Sequence, residues 1–278
     1  MHSDNPCRDP DIRTAEGDTV NESDVLRIEL ADGYAVVTLD RPAARNALNA
    51  ELRSTLYAAM RALDADADVH AVVLTGSDPA FCAGLDLKEL ADQPDQLAGG
   101  FGDSADLRRP FPQMSTPVIG AINGVAITGG FELALACDFL VASEHARFAD
   151  THARVGIMPG WGLTVLLPQA VGVRRARELS ATGNFLDAAT AYDWGLVNHV
   201  VPHEELLPTA RRLAADIVGN DPDGVRQILA TYTEGSLVTA GDALDLEQRA
   251  SREWMAERSG ADLEARRQAV TERGRTQL

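Results

Sequence analysis

Residues 117–142 read PVIGAINGVAITGGFELALACDFLVA, the longest weakly polar run in the chain, with Glu132 and Asp138 as its only acidic residues. A membrane span is the first reading to test, and it fails. Asn123-Gly124 and Gly129-Gly130 are turn signals, and a carboxylate at mid-span is costly in hydrocarbon. The pattern instead predicts a buried strand over 118–122, a turn, a glycine-opened helix over 130–137 and a second buried strand over 138–142. Such an arrangement leaves backbone N–H groups unpaired at the helix start, where negative charge is favoured. With Glu132 in the first turn, it has the outline of an oxyanion hole with a carboxylate beside it.

Working outward, composition bounds the function. The chain has 278 residues, 45% hydrophobic and 24% charged, which suits a soluble globular protein with a sizeable core. A formal charge of -17 argues against nucleic acid and anionic membrane surfaces as partners, because both select basic proteins. An anionic small molecule needs a local basic patch. Cys7, Cys82 and Cys137 lie far apart in mostly apolar contexts, so neither a disulfide framework nor a zinc site is expected. The first twenty-odd residues lack the apolar centre of a signal peptide, and a reducing cytoplasm is the expected location.

Residues 1–23 are polar and acidic, which predicts a disordered tail. From Val25, VLRIEL, Asp32-Gly33 and YAVVTLD spell a β-hairpin with a two-residue turn. An amphipathic helix follows over 50–64, with Leu52, Leu56, Met60 and Leu63 on one face. AVVLT at 71–75 reads as a strand covered on both sides, and it runs into the loop and helix start GSDPAFCAGLDLKEL. Residues 93–112 read as a loop with at most one short helix. Beyond the opening stretch, HARFADTHARVGIMPGWGLTVLLPQAVG carries a short strand or extended piece, a glycine and proline corner and a helix over 162–170, and two short helices and a strand over 197–201 follow. From His203 onward the chain reads as helical, with breaks near 220–222 and 259–260.

Four segments, RPAARNAL (41–48), AFCAGLDLKEL (80–90), INGVAITGGFELALACD (122–138) and AYDWGLVNHVV (191–201), together resemble the crotonase family, the enoyl-CoA hydratases and isomerases. The likeness spans roughly residues 25–260, and the joint spacing is far more specific than any one glycine motif. It implies an α/β fold, a crotonase-like ββα spiral core over 24–202 carrying an acyl-CoA site, and a C-terminal helical trimerisation region over 203–278. It also implies a homotrimer, or a hexamer built as a dimer of trimers. The partner it implies is an acyl-CoA thioester of fatty acid metabolism, with coenzyme A entering as part of the substrate and no separate cofactor. The family's shared device is a pair of backbone N–H groups that hold the thioester oxygen as an enolate develops.

By similarity, the N–H groups of Ala83 and Gly129 form that pair, and Glu132 handles the proton as base or orients water. The competing reading of Glu132 is a first-turn carboxylate that only caps its helix. Hydratases of the family use a second glutamate, and here that position falls on His152. Two readings stand: His152 takes over the glutamate's proton, or it is structural in a protein whose hydratase activity is weak or lost. Asp150, two residues earlier, points the same way as His152 if the segment is extended. Ala83, Gly84, Leu85 and Asp86 are candidates to contact the ligand through backbone groups, with Asp86 alternatively capping the next helix. Arg41, Arg45 and Lys88 are candidates for the phosphates of coenzyme A. Trp161 follows the Pro-Gly corner where relatives carry a small residue, and it either narrows the acyl pocket or is a core aromatic. The resemblance thus implies a 2-enoyl-CoA hydratase, with a single-carboxylate isomerase or a non-catalytic acyl-CoA binding protein as alternatives.

Overall fold

The computed structural model describes residues 20–92 and 109–256, together with 266, 267, 270, 271, 273 and 275. Most of the expected loop at 93–112 and the break at 259–260 lie outside the described residues. No described helix is long and apolar enough to cross a membrane.

The chain starts with three antiparallel strands, β1 (Val20–Ser23), β2 (Leu26–Ala31) and β3 (Tyr34–Leu39). The β2–β3 hairpin turns at Asp32-Gly33, with Ala31 facing Tyr34 across the ladder. Because β1 is paired, the expected tail is corrected at its end: residues 20–23 form a strand that hydrogen-bonds along β2. Helix α1 (Ala50–Ala65) then lays Leu52, Leu56, Met60 and Leu63 into the core, and the Asn49 side chain accepts the Leu52 N–H at its start.

Three strand–strand–helix units follow. They are β4 (Ala71–Gly76), β5 (Ala80–Cys82) and α2 (Leu87–Asp92), then β6 (Val118–Ile122), β7 (Val125–Ile127) and α3 (Gly129–Leu135), then β8 (Phe139–Ser143), β9 (Arg147–Ala149) and α4 (His152–Val155). In each unit the first strand joins a large sheet and the second a small one. The remaining elements are α5 (Leu163–Val171), α6 (Val173–Thr182), β10 (Leu186–Asp187), α7 (Ala188–Asp193), β11 (His199–Val201) and α8 (Leu206–Val218). The large sheet runs β1-β2-β3-β4-β6-β8-β11 and the small one β10-β9-β7-β5. From β3 onward the large-sheet neighbours are parallel, which explains why β4 and β6 are apolar on both faces.

One face of the large sheet meets a core that includes Leu52, Leu56, Met60, Phe81, Phe131 and Phe148. The other face, carrying Val36, Val73, Ile119 and Val141, is covered by Leu206, Ala210 and Ala214 of α8. That packing corrects the expected boundary at residue 203. The first helix after β11 belongs to the core, because without it one sheet face would stand in water.

The chain divides into a unit ending at Pro222 and a second beginning at Asp223. Taken by itself, the second unit holds α9 (Pro222–Gly235) and α10 (Ala240–Ala256), separated by an interruption at 236–239 that the sequence reading did not mark. Neither helix has a buried residue, and a groove of about 950 Å³ between them is lined by Ile228, Tyr232, Leu244 and Trp254 among others.

Candidate active site

Two backbone segments approach closely at the start of α3. A Cβ placed on Gly129 would stand 3.7 Å from both the Gly84 Cα and the Leu85 N, and 3.3 Å from the Trp161 ring. A Cβ on Gly84 would meet the Ile127 carbonyl at 2.8 Å, and Gly84 itself has φ +88. Glycine is therefore required at 84 by both space and backbone conformation.

Peptide planarity fixes where the amides point, because a trans peptide's C=O and N–H face opposite ways. The Gly84 carbonyl accepts the Leu48 N–H at 2.8 Å, so the Leu85 N–H of the same peptide points away from Leu48. Likewise the Thr128 carbonyl accepts the N–H groups of Phe131 and Glu132, each at 3.0 Å, so the Gly129 N–H points the other way, out from the start of α3. The assignment of Ala83 as an oxyanion donor is corrected by the same geometry. Its N–H donates to the Arg45 carbonyl at 3.0 Å and is spent on holding the two loops together. Two residues on, Leu85 carries the amide that the geometry turns toward Gly129.

Beside these amides lie three buried ionisable side chains. Glu132, Asp150 and His152 are each less than 5% exposed. Glu132 Oε1 accepts the backbone N–H of Trp161 at 2.7 Å and of Leu163 at 3.4 Å. Its Oε2 faces His152 Nε2 at 3.5 Å. On the far side of the imidazole, Nδ1 and Asp150 Oδ1 are 2.7 Å apart. Burial by itself would lower the His152 pKa, but hydrogen bonds and charge from Asp150 and Glu132 outweigh it and raise the imidazole to about 9. Burial pulls Asp150 upward, while hydrogen bonds from His152 and Ser180 prevail and leave its carboxyl below the ordinary range. His152 is therefore pushed toward its imidazolium form, held between the Asp150 and Glu132 side chains.

The short strand expected in this stretch is β9, and it ends at Ala149, so the extended backbone on which Asp150 and His152 would point the same way is not met at 150–152. His152 opens the short helix α4, and the Asp150 carboxylate still reaches it by turning back to the His152 N–H at 3.2 Å. Trp161 is buried, its ring against Gly129 and its N–H on Glu132.

Residues 29–274 match the model of the enoyl-CoA hydratase/isomerase family. The chain belongs to this family. A probable peroxisomal enoyl-CoA hydratase from Arabidopsis thaliana is 41% identical over 231 residues, 83% of this chain and 86% of that one. The crystal structure of an enoyl-CoA hydratase from Mycobacterium tuberculosis H37Rv is similar with a TM-score of 0.71 and 52% identity, covering 82% of this chain and 98% of that chain. One from Bacillus anthracis superimposes with a TM-score of 0.81 at 34% identity, covering 90% and 96%.

Within this enoyl-CoA hydratase/isomerase chain, the other candidates separate by their contacts. Arg41 is corrected as a phosphate ligand, since both its terminal nitrogens lie 3.1 Å from Asp86 Oδ2 and one also donates to the Ala47 carbonyl. Asp86 in turn accepts the Lys88 and Glu89 N–H groups, so it caps α2 and anchors the loop through Arg41. Burial raises the Asp86 carboxyl, but the hydrogen bonds from Arg41 and Glu89 bring it below its ordinary value. Arg45 and Lys88 keep exposed side chains. Cys82, immediately before the loop, is buried with its thiol pushed up to about 12, which leaves it inert as a nucleophile.

Asn46 is the residue the sequence reading passed over. It is fully buried with φ 55, its Oδ1 accepts the Arg41 N–H, and its Nδ2 donates to the Ser77 and Ala80 carbonyls. It ties the 41–48 loop to the β4–β5 connection. The signal was present as the Asn in RNAL, where a polar residue stands amid small apolar ones ahead of the helix.

Proposed function

We propose that this chain is an enoyl-CoA hydratase, a lyase that adds water across the double bond of a 2-enoyl-CoA thioester. The carrying observation is that Glu132 Oε2 and His152 Nε2 face each other at 3.5 Å, with Glu132 in the first turn of the helix that Gly129 opens and Gly129 packed close to Gly84 and Leu85. Glu132 Oε1 is occupied by Trp161 and Leu163, which leaves Oε2 to take a proton from water as its oxygen adds to C3. The thioester oxygen, becoming an enolate oxygen, accepts from Leu85 and Gly129. One such donor contributes about 3–4 kcal/mol in a comparable hole. His152 then delivers its Nε2 proton to C2, and Glu132 returns the proton it took to His152, which restores both groups. His152 is in this reading the second proton carrier in place of a glutamate, with Asp150 holding its orientation. The reaction is written with no cofactor beyond the substrate's own coenzyme A, for which Arg45 and Lys88 remain the candidate phosphate contacts.

We further infer assembly as a homotrimer, or as a hexamer of two trimers. The support is the second unit, whose two amphipathic helices bury nothing by themselves.

The deciding experiment mixes purified protein with crotonyl-CoA and follows the loss of the conjugated thioester absorbance. A steady decrease is expected. No decrease at high protein concentration, together with measurable acyl-CoA binding, would replace the hydratase by a binding protein, and a gain of conjugation from a 3-enoyl-CoA alone would replace it by an isomerase.

A further inference from the structure

Thr128 is a β-branched residue with φ 56 and ψ -116, a backbone region that side chains of its kind rarely occupy. It immediately precedes Gly129, so its ψ sets the plane of the peptide whose N–H points out from the start of α3. Something must hold it there, and two contacts do. The Thr128 N–H donates to the Ala149 carbonyl at 2.9 Å, and the Thr128 and Thr151 hydroxyls are 2.5 Å apart. Both contacts come from the end of β9 and the residues just after it, the segment that presents Asp150 and His152.

We propose that Thr151 is a positioning residue that acts through Thr128. Its hydroxyl clamps the strained Thr128–Gly129 peptide so that the Gly129 amide stays aimed at the thioester oxygen. The inference rests on the reading of that amide as an enolate donor. The clamp makes the donor and the proton carriers one mechanical piece, because Asp150, Thr151 and His152 are consecutive. Asp150 orients His152, His152 faces Glu132, and Thr151 fixes the amide.

Thr151→Val keeps the shape and removes the hydroxyl. With crotonyl-CoA it should lower kcat by about tenfold or more and change KM by less than about threefold, since the interaction lost is one made to the developing enolate. Its pH profile should keep the wild-type limbs, whereas a disturbed His152 would move them. Thr151→Ser should recover most of the rate.

The discriminating variant is Thr128→Gly, because glycine adopts this φ and ψ without strain and has no hydroxyl to clamp. In that background Thr151→Val should cost less than about twofold. An equal loss in both backgrounds would overturn the proposal. Acetoacetyl-CoA supplies a readout that needs no turnover, because its bound enolate absorbs in the near ultraviolet. Thr151→Val should lose that band while still binding the thioester. A wild type that turns over no crotonyl-CoA and forms no enolate band would sink the hydratase reading instead. The clamp is then judged by a crystal structure of Thr151→Val: Thr128 still near its strained conformation, with the Gly129 amide unmoved, would refute it.

Discussion

At the residue scale the site is decided by which oxygen and which nitrogen are left over. Glu132 spends Oε1 on the Trp161 and Leu163 amides, so Glu132→Gln keeps one acceptor for them but loses the proton-accepting Oε2. Turnover should fall by about a hundredfold or more with acyl-CoA affinity nearly unchanged, measured as separate kcat and Kd values. In the proposed reaction His152 is the acid, so kcat/KM should decline as pH rises through about 9, where the imidazolium loses its proton. Asp150→Asn removes the charge and the acceptor that raise this pKa, and the alkaline limb should move to lower pH. Stability carries the same sign. The folded value lies above the ordinary 6.5, so the contribution of His152 is fully present below about 6.5 and is lost as pH rises through about 9, which thermal melts across that range would register. Replacing His152 with glutamate should lower activity, because the new carboxylate would face Asp150 and Glu132, both now within 3.5 Å of the imidazole. A gain in rate would show that Asp150 yields its place.

At the element scale the two loops that bring the amides together are held by side chains bonded to one another and to backbone. Asn46 joins the 41–48 loop to the β4–β5 connection, and Arg41 with Asp86 joins it to the start of α2. Asn46→Ala takes the acceptor from the Arg41 N–H and a donor from the Ser77 carbonyl, while the Ala80 carbonyl keeps Asn123 Nδ2 at 3.2 Å, and a buried group left unsatisfied costs about 1–3 kcal/mol. A drop in denaturation midpoint should therefore accompany any loss of rate. Gly130 is stricter still. A Cβ there would stand 2.1 Å from the Cys82 carbonyl, so Gly130→Ala must push α3 off β5 and should abolish soluble expression or enolate binding. Asp138, the second acid of the opening stretch, accepts the Val118 N–H at 2.7 Å and belongs to this scaffold, apart from the proton chemistry.

At the scale of the whole molecule the large sheet needs cover on both faces, and α8 supplies the second cover from beyond the expected core boundary. Enlarging Ala210 or Ala214 to Leu should destabilise the protein by about 1–3 kcal/mol through overpacking against Ile119 and Val141. The second unit presents Ile228, Tyr232, Leu244 and Met255 as exposed apolar side chains along its two helices. If these faces are the oligomer interface, Tyr232→Glu with Leu244→Glu should convert a species of three or six protomer masses to a smaller one in light scattering. An unchanged mass would assign the interface elsewhere.

What the sequence determined by itself was whatever depends on local pattern. The two-residue turn at Asp32-Gly33, the apolar face of α1, the all-apolar β4 and β6, and the glycine-opened helix that carries Glu132 are written in periodicity and turn chemistry. The small sheet was not legible, because strands of two or three residues have too few positions to show a period. Nor could the chain alone choose between Ala83 and Leu85. Both are small-loop amides beside Gly84, and only the pairing of that loop with Arg45 and Leu48 decides which N–H is spent and which faces Gly129. The charge of His152 was equally out of reach, since it depends on two carboxylates, one of them twenty residues away in sequence and 3.5 Å away in space.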